Sequence, residues 1–290
     1  GVTLPSVSIS EDAGADLRSS YVANIEVTVA AAVAKIDAEA QNRMASFSSR
    51  GPNGNSTFLK PEITAPGSSI LSATSPDQSG SQFALNSGTS MATPQVSGAA
   101  AVIRQLRPEL DALQLKSILM GTAQTERMRA HNSDEFATAF AQGAGLLNMA
   151  AAEQATFALD KPSAVLNGCL GLCEFTRTVE NLTNQPITLF VAGDVGQTLI
   201  NMSFTTSAQT AAESFLELTL PAAGKETFTV HIDSSFAKEG YNYPTLRIAD
   251  GSRSVQEYPV VLTNERTDDA RVLYSEVTSG EPSWGEKVTV

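Results

Sequence analysis

The sequence predicts an α/β layer followed by an all-β sandwich. From residue 31 to about residue 160, short apolar runs rotate with turn residues and helix-periodic segments, and strand, turn and helix in rotation build an α/β layer. After about Lys161 the apolar period becomes two, with no helical stretch between the runs, as in the half-buried strands of a sandwich. The length of 290 residues suits about two domains of ordinary size.

In chain order, residues 1–30 open with "LPSVSIS", a short strand, then "EDAGADLRSS", a helix with an acidic first turn. "NIEVTVAA" sets Ile25, Val27 and Val29 against polar neighbours, a half-buried strand. Nothing in 1–30 closes a core, so the segment reads as the end of a domain whose front lies elsewhere. In 31–160, "RMASFSSRGPNG" predicts a strand entering a turn built on Gly51, Pro52 and Gly54. "KPEITAPGSSILSAT" holds two apolar runs broken by Pro61, Pro66 and Gly67. After the Gly88 turn a helix runs from Met91 to about Leu106, with small and apolar residues on nearly every side. That composition predicts a buried helix. Pro108 stops it, Asp111 is placed to cap the next, and Leu115, Ile118 and Leu119 form that helix's apolar stripe. "QGAGLLNMAAAEQA" adds a Gly turn and a short helix. Residues 161–266 contain the strands "PITLFVAG", "SFLELTLP", "ETFTVHID" and "TLRIADGSRSVQEYPVVLT", the last folded at Asp250-Gly251. Residues 267–290 are a tail or the start of a further element. The β-domain is expected to fold alone more readily than 31–160.

Composition narrows function. The net charge is −12, which repels nucleic acid and anionic lipid and excludes both as primary partners. No run approaches the ~20 apolar residues of a membrane span. The chain starts at Gly1 with no initiator Met or leader, so either processing removed them or the chain is a piece of something longer. Cys169 and Cys173 are too few for a metal site and have the wrong spacing for a C-x-x-C redox pair. They suit a local disulfide in an oxidising compartment, the alternative being two free thiols at a strand start. No metal or other cofactor is assigned. Three N-x-[ST] sequons, at Asn55, Asn181 and Asn201, are left without a role.

The chemically telling stretch is "NSGTSMATPQVSGAAAVI", residues 86–103. Gly88 allows a tight turn, and Ser90 then falls in the first turn of a helix, where free N–H groups and the helix dipole favour negative charge. An acyl-transfer oxyanion needs such donors. The same spacing also suits a serine that merely caps a core helix. Pro94 is expected within the first turn or so, where a missing N–H costs little.

"GTSMATP" at 88–94 resembles the nucleophile motif of the subtilisin-like serine proteases, the subtilase family. "MASFSSRGPN", "KPEITAPGSSILSA", "LKSILMGTA" and "QGAGLLNMAAA" are similar to further subtilase segments, in the same order. "LPSVSISEDAGADL" resembles the end of the protease-associated insert of large subtilases, and "FTRTVENLTNQPITLFV" the fibronectin-III-like domain that follows their catalytic domain. The resemblance implies the C-terminal half of a subtilisin-like parallel-sheet catalytic domain, then a β-sandwich, in a secreted or extracellular protease of proteins or peptides. Ser90 would attack the peptide carbonyl and form an acyl-enzyme, with its own N–H donating to the oxyanion and Thr89 supporting that site. Met91 would be an oxidation-sensitive neighbour. Gln95 stands where the family usually has a non-catalytic His, so packing there should differ. Calcium occurs in the family, but no site is assignable.

The family's order along the chain is Asp, His, Ser, whereas His131 and His231 both follow Ser90. His131 lies in the polar "RAHNSDEF" and His231 on the wetter face of "TFTVHID", so neither is the expected base. The Asp, the His and the oxyanion Asn are expected upstream of Gly1. The chain would then be inactive alone and require that N-terminal half. The alternative is a truncated or degenerate subtilase without catalysis, whose β-domain is a binding module.

Overall fold

The computed structural model describes residues 11–19, 41–53, 57–125, 128–196, 198–209, 211–251 and 254–264. The chain divides into two compact units, Gly1–Gln41 and Asn42–Val290. In the first, "EDAGADLRS" forms helix α1 (Glu11–Ser19), with Arg18 in its last turn. The strands expected at "LPSVSIS" and "NIEVTVAA", and the tail 267–290, lie outside the described residues.

The second unit begins with irregular chain. "MASFSS" turns rather than extends. The Arg43 bridge to Arg129 is its strand-like contact, and the Arg50 guanidinium then donates to the carbonyls of Ala45 and Ser48, bending the backbone. Strand β1 (Ile70–Ala73), helix α2 (Pro76–Ser79) and strand β2 (Phe83–Asn86) follow, β1 and β2 pairing antiparallel as a two-stranded ribbon. Before residue 157 the parallel pairings among the described residues are the bridges Arg43–Arg129 and Thr64–Leu146.

Four helices come next: α3 (Thr89–Leu106), α4 (Ala112–Gly121), α5 (Ala139–Gln142) and α6 (Met149–Glu153). The cap of α4 is as its sequence predicts. Asp111 accepts from the Gln114 N–H at 2.8 Å, and the Gln114 side chain accepts from the Asp111 N–H at 2.8 Å, a reciprocal capping box. Ile118 and Leu119 are buried with Ala99 and Ile103 of α3 and Ala152 of α6. The expectation of a buried α3 is corrected here: Ala99 and Ile103 alone are buried, while Val102 and Leu106 are exposed. In the described residues a single side of α3 has a partner.

The remainder is a sandwich. One sheet carries β10 (Gly240–Asn242), β12 (Val255–Asn264), β11 (Thr245–Asp250), β6 (Ile187–Asp194) and β8 (Phe215–Leu220) in that order, with β4 (Ala164–Leu166) parallel to β12. The other carries β3 (Phe157–Leu159), β5 (Leu172–Asn181), β9 (Lys225–Asp233) and β7 (Asn201–Thr206), all antiparallel. Alternate residues, such as Phe228, Val230 and Ile232 against Leu216, Leu246 and Ile248, fill one core, the side-chain period of two that packs sheet on sheet. Cys169 and Cys173 are joined in a disulfide at the entry to β5.

The helices are fastened to this sandwich. Ser117 of α4 is fully buried, accepts from the Leu159 N–H at 2.8 Å and meets the Tyr258 hydroxyl at 3.2 Å. Tyr258 donates to Gln256 at 2.6 Å, and Gln256 donates to the Phe157 carbonyl at 2.9 Å. A Cβ on Gly121 would lie 2.6 Å from Gln256 and 2.7 Å from the Tyr258 ring, so only glycine permits this approach. Further along β12, Val261 is buried beneath Leu59, Ala139 and Phe140.

Candidate active site

Ser90 is the second residue of α3, exposed on the protein surface. The helix has Gly88 as its N-cap and no side-chain cap. The N–H groups of Met91 and Ala92 turn back to the Gly88 carbonyl at 3.0 and 3.4 Å. Among the described residues the Ser90 N–H and hydroxyl make no hydrogen bond. A helix leaves its first N–H groups without intrahelical acceptors, and they carry the positive end of the dipole. The serine hydroxyl therefore stands beside a free donor aimed outward. Thr89, just before it, is also exposed.

Three contacts fix where this helix starts. The Gly88 N–H donates to the Gly67 carbonyl at 2.8 Å, the Ser69 N–H donates to Ser87 Oγ at 2.8 Å, and Gln95 Nε2 donates to the Pro66 carbonyl at 2.6 Å. A Cβ on Gly67 would sit 2.8 Å from the Gly88 carbonyl oxygen, so "APGSS" lies flat against the turn only because Gly67 has no side chain. Gln95 thus ties α3 to the loop beneath it.

That loop is anchored in turn. The Thr64 N–H donates to the Gly145 carbonyl, and the Leu147 N–H to the Thr64 carbonyl, both at 2.8 Å. Glu62 is bridged by Lys60 at 2.9 Å and by Lys116 of α4. Burial works against its charge, but hydrogen bonds from Lys116 and Lys60 outweigh it and hold the carboxyl below its usual range.

Pro94 is not in the first turn, as expected, but six positions into the helix. Its missing N–H is one that would have closed onto the Ser90 carbonyl. Nearby, Thr93 and Ser97 hydroxyls bond back to the carbonyls of Thr89 and Thr93 at 2.9 and 3.2 Å.

The histidines are elsewhere. His131 is exposed in the loop whose ends are closed by Ala130 and Glu135. His231 lies on the outer face of the smaller sheet, its Nε2 2.8 Å from Thr205 Oγ1 and its Nδ1 3.3 Å from Glu174. Both of its nitrogens are engaged within the sandwich, and neither histidine bonds Ser90. Among the described residues no cluster of His, Cys, Asp or Glu could hold a metal ion, and no helix is long and apolar enough to cross a membrane.

The β1–β2 ribbon that leads into α3 has an apolar face. Across the ribbon, Leu71 faces Leu85 and Ala73 faces Phe83, and Leu71, Phe83 and Leu85 are all exposed. A two-stranded ribbon with an open apolar face is not stable by itself in water.

Comparison with known proteins bears on this arrangement. Residues 8–145 match the model of the subtilase family. Over 286 residues the chain is 29% identical to the minor extracellular protease Vpr of Bacillus subtilis (strain 168), an alignment covering 97% of this chain and 34% of that protein. It is 40% identical over 102 residues to the subtilisin-like protease SBT3.11 of Arabidopsis thaliana, covering 34% of this chain and 13% of that one. With SBT3.15 of the same plant it shares 41% identity over 131 residues, 42% of this chain and 17% of that one. The chain spans about a third of the bacterial relative and less of each plant one.

Proposed function

Because the chain belongs to the subtilase family, we propose that it carries the nucleophile of a serine endopeptidase, Ser90, and that an upstream segment supplies the rest of the machinery. The observation that carries this is the exposed Ser90 at a helix start with its own N–H free. In the proposed reaction Ser90 Oγ attacks the carbonyl carbon of a peptide bond while a histidine base takes its proton. The Ser90 N–H then donates to the oxyanion, with Thr89 supporting that site and an upstream Asn as second donor. Collapse expels the amine, and water hydrolyses the acyl-enzyme.

The open apolar side chains of the ribbon and of α3 (Leu71, Phe83, Leu85, Val102 and Leu106) support an upstream half packed against them, completing a parallel-sheet catalytic domain over 31–160. Residues 1–30 are proposed as the end of a protease-associated insert and 161–266 as a fibronectin-III-like domain. Proteins or peptides are the proposed substrates. The disulfide and the extracellular relative support secretion. The placement of His131 and His231 away from Ser90 favours a second reading, a non-catalytic subtilase chain whose sandwich binds a partner.

A fluorophosphonate probe separates the two. The 290-residue chain should stay unlabelled at Ser90. A longer chain carrying the upstream Asp, His and Asn should label there, and its Ser90→Ala variant should not. A longer chain that contains those three residues, folds, and remains unlabelled sinks the protease reading.

A further inference from the structure

One end of the sandwich carries large apolar side chains on a rigid base. Strand register sets Leu172 of β5, Asp233 of β9 and Asn201 of β7 side by side, so the loops entering β5 and β7 and leaving β9 share that end. Leu172 at the start of β5 and Leu170, Leu199 and Phe236 on those loops are 83, 56, 66 and 79% exposed. Side chains of this kind scattered singly need no explanation, but four gathered at one end mark a contact surface.

The base beneath them is tied down. The Cys169–Cys173 disulfide closes the turn that bears Leu170 and Leu172, with Cys169 itself buried. The Ser234 hydroxyl donates to the Cys169 carbonyl at 2.8 Å, its N–H donates to the Gly171 carbonyl at 2.8 Å, and its oxygen accepts from the Gly171 N–H at 3.1 Å. Asn264 donates to the Ala237 carbonyl at 3.0 Å. A surface ordered before contact loses little conformational freedom on binding.

The charges around it choose the occupant. Glu174, Asp233 and Glu239 stand at this end against Lys238, and the hydroxyl and N–H of Ser235 keep the Asp233 carboxyl below its usual range. A second copy would bring the same acidic groups and another net −12, and an anionic membrane would be repelled. We propose that this end of the sandwich docks a polypeptide whose apolar side chains are flanked by Lys and Arg. It is a surface separate from Ser90 and does not depend on catalysis.

The test uses the full 290-residue chain and a short fluorescein-labelled Leu/Lys peptide, read by anisotropy. Leu172→Ser/Phe236→Ser replaces two exposed side chains and should keep the native thermal midpoint. The peptide should bind the native chain at least about tenfold tighter than this variant, and Leu/Glu and Ser/Lys peptides should bind the native chain no better than they bind the variant. Equal binding of the Leu/Lys peptide to both chains, or none to either, would overturn the proposal. So would co-sedimentation with phosphatidylcholine vesicles that the double substitution abolishes, which assigns the end to lipid instead.

Discussion

Ser117 is small, polar and fully buried, and its hydroxyl accepts from the Leu159 N–H while facing Tyr258. Ser117→Ala leaves that N–H unpaired away from water, a loss of about 1–3 kcal/mol, to be read as a lowered urea midpoint with unchanged slope. Gly121→Ala meets the Gln256 amide and the Tyr258 ring and should cost about 1–3 kcal/mol by overpacking. Tyr258 makes the same junction sensitive to alkali. Burial raises its phenol above the ordinary 10.0, against the hydrogen bond with Ser117, so the unfolded chain loses this proton first. The stability it contributes is whole below pH 10 and falls as pH rises beyond it, and Tyr258→Phe should flatten that alkaline limb of a pH–stability curve. Glu62 behaves oppositely. Its folded pKa lies below the ordinary 4.5, so its contribution is whole above that value and is lost as pH falls through the folded one. Glu62→Gln should remove that share of the acid sensitivity. None of these pairs is legible in the sequence, because each joins residues from distant elements and no local period marks them.

At the scale of elements, local chemistry was readable and environment was not. The Asp111 cap, the stripe Leu115, Ile118 and Leu119 and the period-two strands follow from nearest-neighbour rules, and α4, β6 and β9 stand where those rules put them. Helix α3 shows the limit: a run of Ala, Gly, Val and Ile announces a helix that suits burial, yet the partner that covers it is not written in the run. "MASFSS" has strand composition, but Arg50 claims its carbonyls and bends it. Ser90 was readable as a residue at a helix start, and its meaning came from the motif around it. The contacts of Gln95 with Pro66 and of Gly67 with Gly88 came only from the fold. Gln95→Ala should loosen the "APGSS" loop from α3, measurable as faster amide exchange at Gly88, whose N–H that loop accepts.

Within Asn42–Val290 the helical segment is fastened to the sandwich rather than strung beside it as a separate bead. The sequence suggests a β-domain that folds alone from about residue 160, while α4 sits on β3 and β12 through Ser117, Gly121 and Tyr258. Limited proteolysis should therefore leave a resistant fragment beginning before Asp111, with α4 retained. A stable fragment beginning near residue 160 would mean the junction does not hold. The same junction has a consequence for synthesis. Ser117 and Tyr258 are 141 residues apart in sequence, and ribosomes add about 5–20 residues per second. For on the order of ten seconds α4 is outside the exit tunnel with its seat not yet made. During that interval Ile118 and Leu119 already have α3 and α6 to pack against, while the side of α4 that bears Ser117 and Gly121 waits, still in water, for the last strand of the sandwich.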